Sequence, residues 1–134
     1  MGLRVSTESG IVAFEAAYSS FNRLRRAIAE HIGGKWVDDF VTGSAEITWY
    51  FDPDRWPKER WPGMVTFMSH SDCDGTIEWD DLMPVAFFLW EVAKGIGDGG
   101  EGHLASRGGH SRVCIDFANA CAKAHKAGEP MEFC

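Results

Sequence analysis

Apolar residues recur at three- and four-residue spacing from Ile11 to Ile32, with Phe14, Ala17, Phe21, Leu24, Ile28 and Ile32 on one stripe. The stripe predicts a first long helix, and Gly33-Gly34 is a suitable stop because glycine accepts the left-handed conformation that ends many helices. After a short segment with Trp36, Val37, Phe40 and Val41, the run Glu46-Ile47-Thr48-Trp49-Tyr50-Phe51 is rich in β-branched and aromatic residues and predicts a strand. Pro53, Pro57 and Pro62 make residues 52–63 a loop. The apolar run Met64 to Met68 reads as a second strand, paired antiparallel with the first. Asp80 or Asp81 then caps a helix that runs to about Lys94 and buries Leu82, Val85, Ala86, Leu89 and Ala93. A last helix from about Ser111 to Lys126 buries Val113, Cys114, Phe117, Cys121 and Ala124 and stops at Gly128-Glu129-Pro130. Met131 to Cys134 returns to the sheet edge. Residues 95–109 hold seven glycines in fifteen positions and predict a mobile loop; without a preceding strand or a P-loop lysine, a linker is preferred to a phosphate cradle. The pattern as a whole is an α+β single domain over residues 1–134, a small antiparallel sheet packed against about three helices.

The length of 134 residues fits one core, and no internal repeat is visible. A formal charge of −7 argues against a nucleic-acid polymer as partner, while leaving room for a small anion held by local arginines. The apolar stretch Leu82 to Ala93 is shorter than the roughly 20 residues of a membrane span, and Met1 to Gly10 lacks the apolar centre of a secretory signal, so a soluble, cytoplasmic protein is expected. Cys73, Cys114, Cys121 and Cys134 form no C-x-x-C pair; Cys114 and Cys121 read as small core residues on one helix face. Six tryptophans are many for this length, and each is either core packing or part of a ligand surface.

The densest chemistry lies in Ser69-His70-Ser71-Asp72-Cys73-Asp74-Gly75. An imidazole and two carboxylates, His70, Asp72 and Asp74, suit manganese, iron or zinc with positions open for water and substrate. Counted from His70, the same stretch imitates a calcium loop, with Gly75 sixth, Ile77 eighth and Asp81 twelfth, although His70 stands where a hard oxygen is expected. The divalent cofactor is therefore manganese, zinc or calcium, if the cluster is a site. An Asp-x-Asp-Gly turn folding its oxygens onto nearby backbone N–H groups is the other reading. On the first helix, Tyr18 and Arg25 fall at the edge of the apolar arc with Asn22 beside them. A guanidinium there needs an acid, a carbonyl or a ligand, since burying it unpaired is costly. His31, His103, His110 and His125 are scattered, and of these His110 has the best claim because it opens the last helix beside the glycine-rich loop.

His70-x-Asp72-x-Asp74-Gly75 resembles the metal-holding signature of the DHH phosphoesterases, and Arg107-Gly108-Gly109-His110 is similar to a glycine-glycine-histidine element of that family. A longer resemblance is to a family of small phage and prophage proteins. It rests on Met1-Gly2-Leu3-Arg4-Val5-Ser6, on Ala17-Tyr18-Ser19-Ser20-Phe21-Asn22-Arg23-Leu24-Arg25, on His70-Ser71-Asp72-Cys73-Asp74-Gly75, and on Ala127-Gly128-Glu129-Pro130-Met131-Glu132-Phe133. Ala16 stands where that family usually has glycine. The resemblance implies a protein acting inside a bacterial host, often against a defence nuclease or nucleotide signal. Three functions follow as expectations. The first is an accessory, anti-defence protein that binds a small phosphorylated or nucleotide ligand through Tyr18, Asn22 and Arg25, with His70, Asp72 and Asp74 alongside. The second is a metal-dependent phosphodiesterase using the His-Asp-Asp group, and the third an inhibitor that binds a host protein.

Overall fold

A computed structural model describes residues 2–38, 47–71, 74–100 and 102–134, and for residues 37, 38, 47, 48 and 103 the backbone alone. The chain opens with a hairpin, β1 (Gly2–Ser6) and β2 (Val12–Ala17), followed without a break by helix α1 (Tyr18–His31). A two-stranded ribbon, β3 (Trp36–Asp38) and β4 (Ile47–Trp49), leads through residues 50–61 to α2 (Pro62–Met68). Then come β5 (Thr76–Ile77), α3 (Trp79–Ile96), the single turn α4 (His103–Ser106), α5 (His110–Ala127) and β6 (Met131–Phe133). The main sheet has the order β2-β1-β6-β5 and is antiparallel throughout. The fold is therefore α+β, as the sequence predicts, with three long helices and two short ones among the described residues.

Five local expectations are corrected. The predicted helix over Ile11 to Ile32 is a strand as far as Ala17, because Val12 to Ala17 pairs with β1 and lies under α5; only from Tyr18 does the stripe become helical. Met64 to Met68 is helix α2 rather than a strand. Pro62 sits in its first turn, where a missing N–H costs nothing, and Met64, Phe67 and Met68 turn inward at helical spacing. The strand at Ile47–Trp49 consequently pairs with Trp36–Asp38 and not with residues 64–68. β6 is central in the sheet, between β1 and β5, and not at its edge. The glycine-rich stretch is only partly loop, since α3 continues to Ile96 and α4 lies within it. Phe40, Val41 and Glu46 lie outside the described residues.

The core is built on Phe21 of α1. Its ring meets those of Phe14, Phe67, Phe117 and Phe133 at 5.5, 5.6, 6.4 and 5.7 Å, so one side chain joins β2, α2, α5 and β6. Helices α3 and α5 pack along each other, with α5 against β2, burying Leu82, Val85, Ala86, Leu89, Val113, Phe117 and Ala124 as their spacing predicts, while Ala93 is only half-buried. Cys114 and Cys121 are fully buried in the same interface, and burial pushes both thiols up to about 12, so they are inert core residues. Helix ends are closed by glycine: Gly34 N–H bonds Ala29 O at the end of α1, and Gly128, at φ 74°, precedes a Glu129 N–H to Ala124 O bond at the end of α5. At the start of α5 the N–H groups of His110 and Ser111 are taken by the carbonyls of Gly99 and Gly97. The glycine-rich stretch is thus tied to the helix N-terminus, whose first donors are already used. Among the described residues no helix is long and apolar enough to cross a membrane.

Candidate functional site

Arg25 is the largest fully buried side chain, 1% exposed. Its Nη1 donates to the carbonyls of Phe67 (3.3 Å), Met68 (3.2 Å) and His70 (2.5 Å), and its Nη2 to Asn22 Oδ1 (2.9 Å). The guanidinium lies 4.5 Å from the Phe21 ring and 5.0 Å from the Trp36 ring. Three of these bonds are to main-chain carbonyls and the fourth is to a side-chain amide oxygen. The cation sits on the negative end of α2 and so holds the His70 segment against α1. Asn22 is spent orienting the guanidinium, and Tyr18 is half-buried at the first turn of α1.

The His70 segment follows helix α2 and not the expected strand, and it leads to β5 and α3. It therefore has a helix on both sides, as a calcium loop would, and Gly75 has φ 87°, as the sixth position of such a loop requires. In that register Thr76 is seventh, the residue whose carbonyl is a ligand. Here the Thr76 carbonyl meets His70 Nε2 at 2.9 Å, while His70 Nδ1 meets Ser71 O at 2.8 Å. The ring also stacks on Phe133, centroids 3.9 Å apart. Both ring nitrogens are engaged within the loop, so ligating a metal would require one to leave its carbonyl. Asp74 is exposed, and Asp72 lies outside the described residues, as does Cys73. No group of three or more His, Cys, Asp or Glu that could hold a metal occurs among the described residues. The metal reading predicts a rise in melting temperature with manganese, zinc or calcium that His70→Ala abolishes; no shift with any of them leaves His70 as the clasp of a turn.

A different constellation forms at the other end of α2. Residues 55–57 and 60–62 repeat the tripeptide Arg-Trp-Pro, and the repeat lies along a cleft of about 330 Å³ closed by α1 and α3. Its walls are His31, Arg55, Trp56, Arg60, Trp61, Glu91, Lys94 and Gly95. Trp56 is 3% exposed, wedged between Trp61 (5.4 Å), Phe88 (5.8 Å) and His31 (6.2 Å). Its indole Nε1 is buried with no acceptor among the described atoms, an uncommon state for a strong donor. Arg55 and Arg60 are exposed, the latter 5.6 Å from the Trp61 ring, whereas Lys94 pairs with Glu91 at 2.9 Å. Gly95 is required beside His31: a Cβ there would lie 2.8 Å from the ring. Burial first, and the Arg55 charge second, hold His31 below the ordinary histidine value near 6.5, so it is neutral at pH 7.

The tryptophans and prolines alone do not mark the cleft; the doubled Arg-Trp-Pro is the sequence signal that does. His110, held low by burial against the pull of Glu30, faces the glycine-rich stretch and is remote in sequence from either constellation. No family model, no curated protein and no solved structure matches this chain.

Proposed function

We propose that the protein binds a small phosphorylated ligand bearing an aromatic ring, a nucleotide or a close chemical equivalent, in the cleft lined by the Arg-Trp-Pro repeat. The observation that carries this reading is the pair of exposed guanidiniums, Arg55 and Arg60, on a cleft also walled by Trp56 and Trp61. Two guanidiniums supply charge-assisted bonds to phosphate, and the Trp61 ring offers a stacking face for a base. A cleft of about 330 Å³ lies at the small end of the range of ligand sites. The resemblance to phage proteins suggests that capture of such a ligand serves an accessory, anti-defence role in the bacterial cytoplasm. In this reading Asn22 and Arg25 act behind the site, by seating α2, rather than by gripping the ligand, and Tyr18 takes no part in the cleft.

Binding is expected to be saturable by quenching of tryptophan fluorescence with at least one member of a panel of linear and cyclic mono- and dinucleotides. Arg55→Ala and Arg60→Ala should each weaken it at least tenfold. A bound phosphate favours the charged form of His31, so its pKa rises on binding; the gain in affinity is full below the free-state value and is lost as pH rises through the bound-state value. His31→Asn should flatten that pH dependence. In the free protein the sign is reversed, because a depressed folded pKa gives stability above about pH 6.5 that is lost as pH falls. Chromatography of the nucleotide released by heat separates capture, which returns it intact, from the phosphodiesterase alternative, which returns cleaved product. Absence of binding across the panel would discard the proposal in favour of a protein partner.

A further inference from the structure

A second concavity lies far from the cleft in sequence, between the open edge of the sheet and α5. It has a volume of about 730 Å³ and is walled by residues 10–15 on one side and by Arg107, Val113, Asp116, Asn119, Ala120 and Lys123 on the other. Strand β2 is the last strand on its side of the sheet. The N–H and carbonyl of Arg4 bond Cys134, on the β6 side, so those of Leu3 and Val5 turn to β2 and meet Ala16 and Phe14. The backbone groups of Glu15, and of Ala17 two residues on, consequently point out of the sheet. The register shift between Val5 and Ser6 is confined to the start of β2, leaving Phe14 to Ala17 regularly paired. This is a strand edge with a helix wall beside it, the arrangement that accepts an extended chain by strand addition.

Charge selects the occupant. Glu15 is 3.8 Å from Arg4 and Asp116 is 3.1 Å from Arg112, so both acids of the groove have a cationic partner. Arg107 and Lys123, in contrast, make no ion pair among the described residues. In a chain of net charge −7 the groove thus offers two uncommitted cations. A second copy pairing through β2 about Glu15 would set Glu15 against Glu15, which disfavours self-association. Val113 to Lys123 spans roughly 15 Å of helix, the length of four or five strand residues.

We propose that β2 and α5 form a docking groove for an extended acidic segment of a partner protein, which adds as a fifth strand and turns alternate carboxylates toward Arg107 and Lys123. This goes beyond the nucleotide reading and does not depend on it. The probe is a fluorescein-labelled eight-residue peptide of alternating threonine and glutamate, compared by anisotropy with its threonine-lysine counterpart. The glutamate peptide should bind saturably and at least tenfold more tightly than the lysine peptide, and the double variant Arg107→Glu, Lys123→Glu should invert that preference. Glu15→Pro removes an N–H that faces away from β1, which an edge strand tolerates, and should lose at least tenfold in affinity at an unchanged melting temperature. Should that variant fail to fold, the glutamate peptide methylated at alternate backbone nitrogens must fail to bind the unaltered protein. Failure of the glutamate peptide to bind, or equal binding to Glu15→Pro or by the methylated peptide, overturns the proposal. So does a dimer of the free protein that Glu15→Pro dissolves, since a second copy would then fill the edge.

Discussion

Arg25→Ala is expected to destabilise the protein by about 3–5 kcal/mol, the range for removing one side of a buried charged network. The substitution deletes the donors to the Phe67, Met68 and His70 carbonyls and to Asn22 Oδ1. Each bond to a charged donor contributes roughly 1.5–3 kcal/mol, and the total is less than their sum because one guanidinium makes them all. Helix α2 would also lose the cation at its C-terminal end, and the aromatic faces of Phe21 and Trp36 would lose their filler. Arg25→Lys keeps the charge but not the planar fork, so it should recover only part of the loss. Urea unfolding followed by tryptophan fluorescence measures both. A melting temperature left nearly unchanged, with nucleotide affinity abolished, would return Arg25 to the ligand-gripping role that its place on the helix face suggests.

Main-chain carbonyls carry no sequence signature, so a buried arginine announces its need for acceptors without naming them. Long elements were legible: α1, α3 and α5 show apolar spacing over several turns and are followed by glycines. Short ones were not. The run Met64 to Met68, four apolar residues around Thr66, fits a strand or a helix equally by periodicity, and Pro62 suits a loop as well as a helix start. The alanine-rich β2 has little strand preference of its own. It is a strand because β1 pairs with it and α5 covers it, and its Phe14 happens to continue the stripe of the helix that follows. The cleft was half-visible in the doubled Arg-Trp-Pro, but His31 and Gly95, which close it, come from α1 and α3 and can be placed only by the fold. The His70 loop was recognised as unusual from its residues alone; that its imidazole clasps Thr76 O depends on a positive φ at Gly75 and on Phe133 arriving from the far end of the chain.

The placement of α2 underlies both constellations, since Arg25 seats its C-terminus and Trp61 stands just before its N-terminus, and at Gly63 it lies directly against the backbone of α3. A Cβ at residue 63 would fall 2.1 Å from the Pro84 carbonyl oxygen, 2.2 Å from its carbon and 2.4 Å from Val85 N, all main-chain atoms that cannot rotate away. Two effects oppose each other in Gly63→Ala. Helix propensity favours alanine by roughly 0.5–1 kcal/mol, whereas forcing a methyl into a closed contact costs about 1–3 kcal/mol and more where the backbone itself must move. Here the backbones of two helices must part, so the clash wins and a net loss of about 3 kcal/mol is expected. Val65→Ala, on the same helix but 39% exposed, should cost much less. Moving α2 outward also displaces Trp61, so nucleotide affinity should fall in Gly63→Ala even under conditions where the variant is folded, while the affinity of the β2 groove for the acidic peptide should be unchanged. Thermal unfolding and the two binding assays on one preparation test this directly. If Gly63→Ala were as stable as the parent, α2 would not be held against α3 as described, and the cleft built on its N-terminus would lose its foundation.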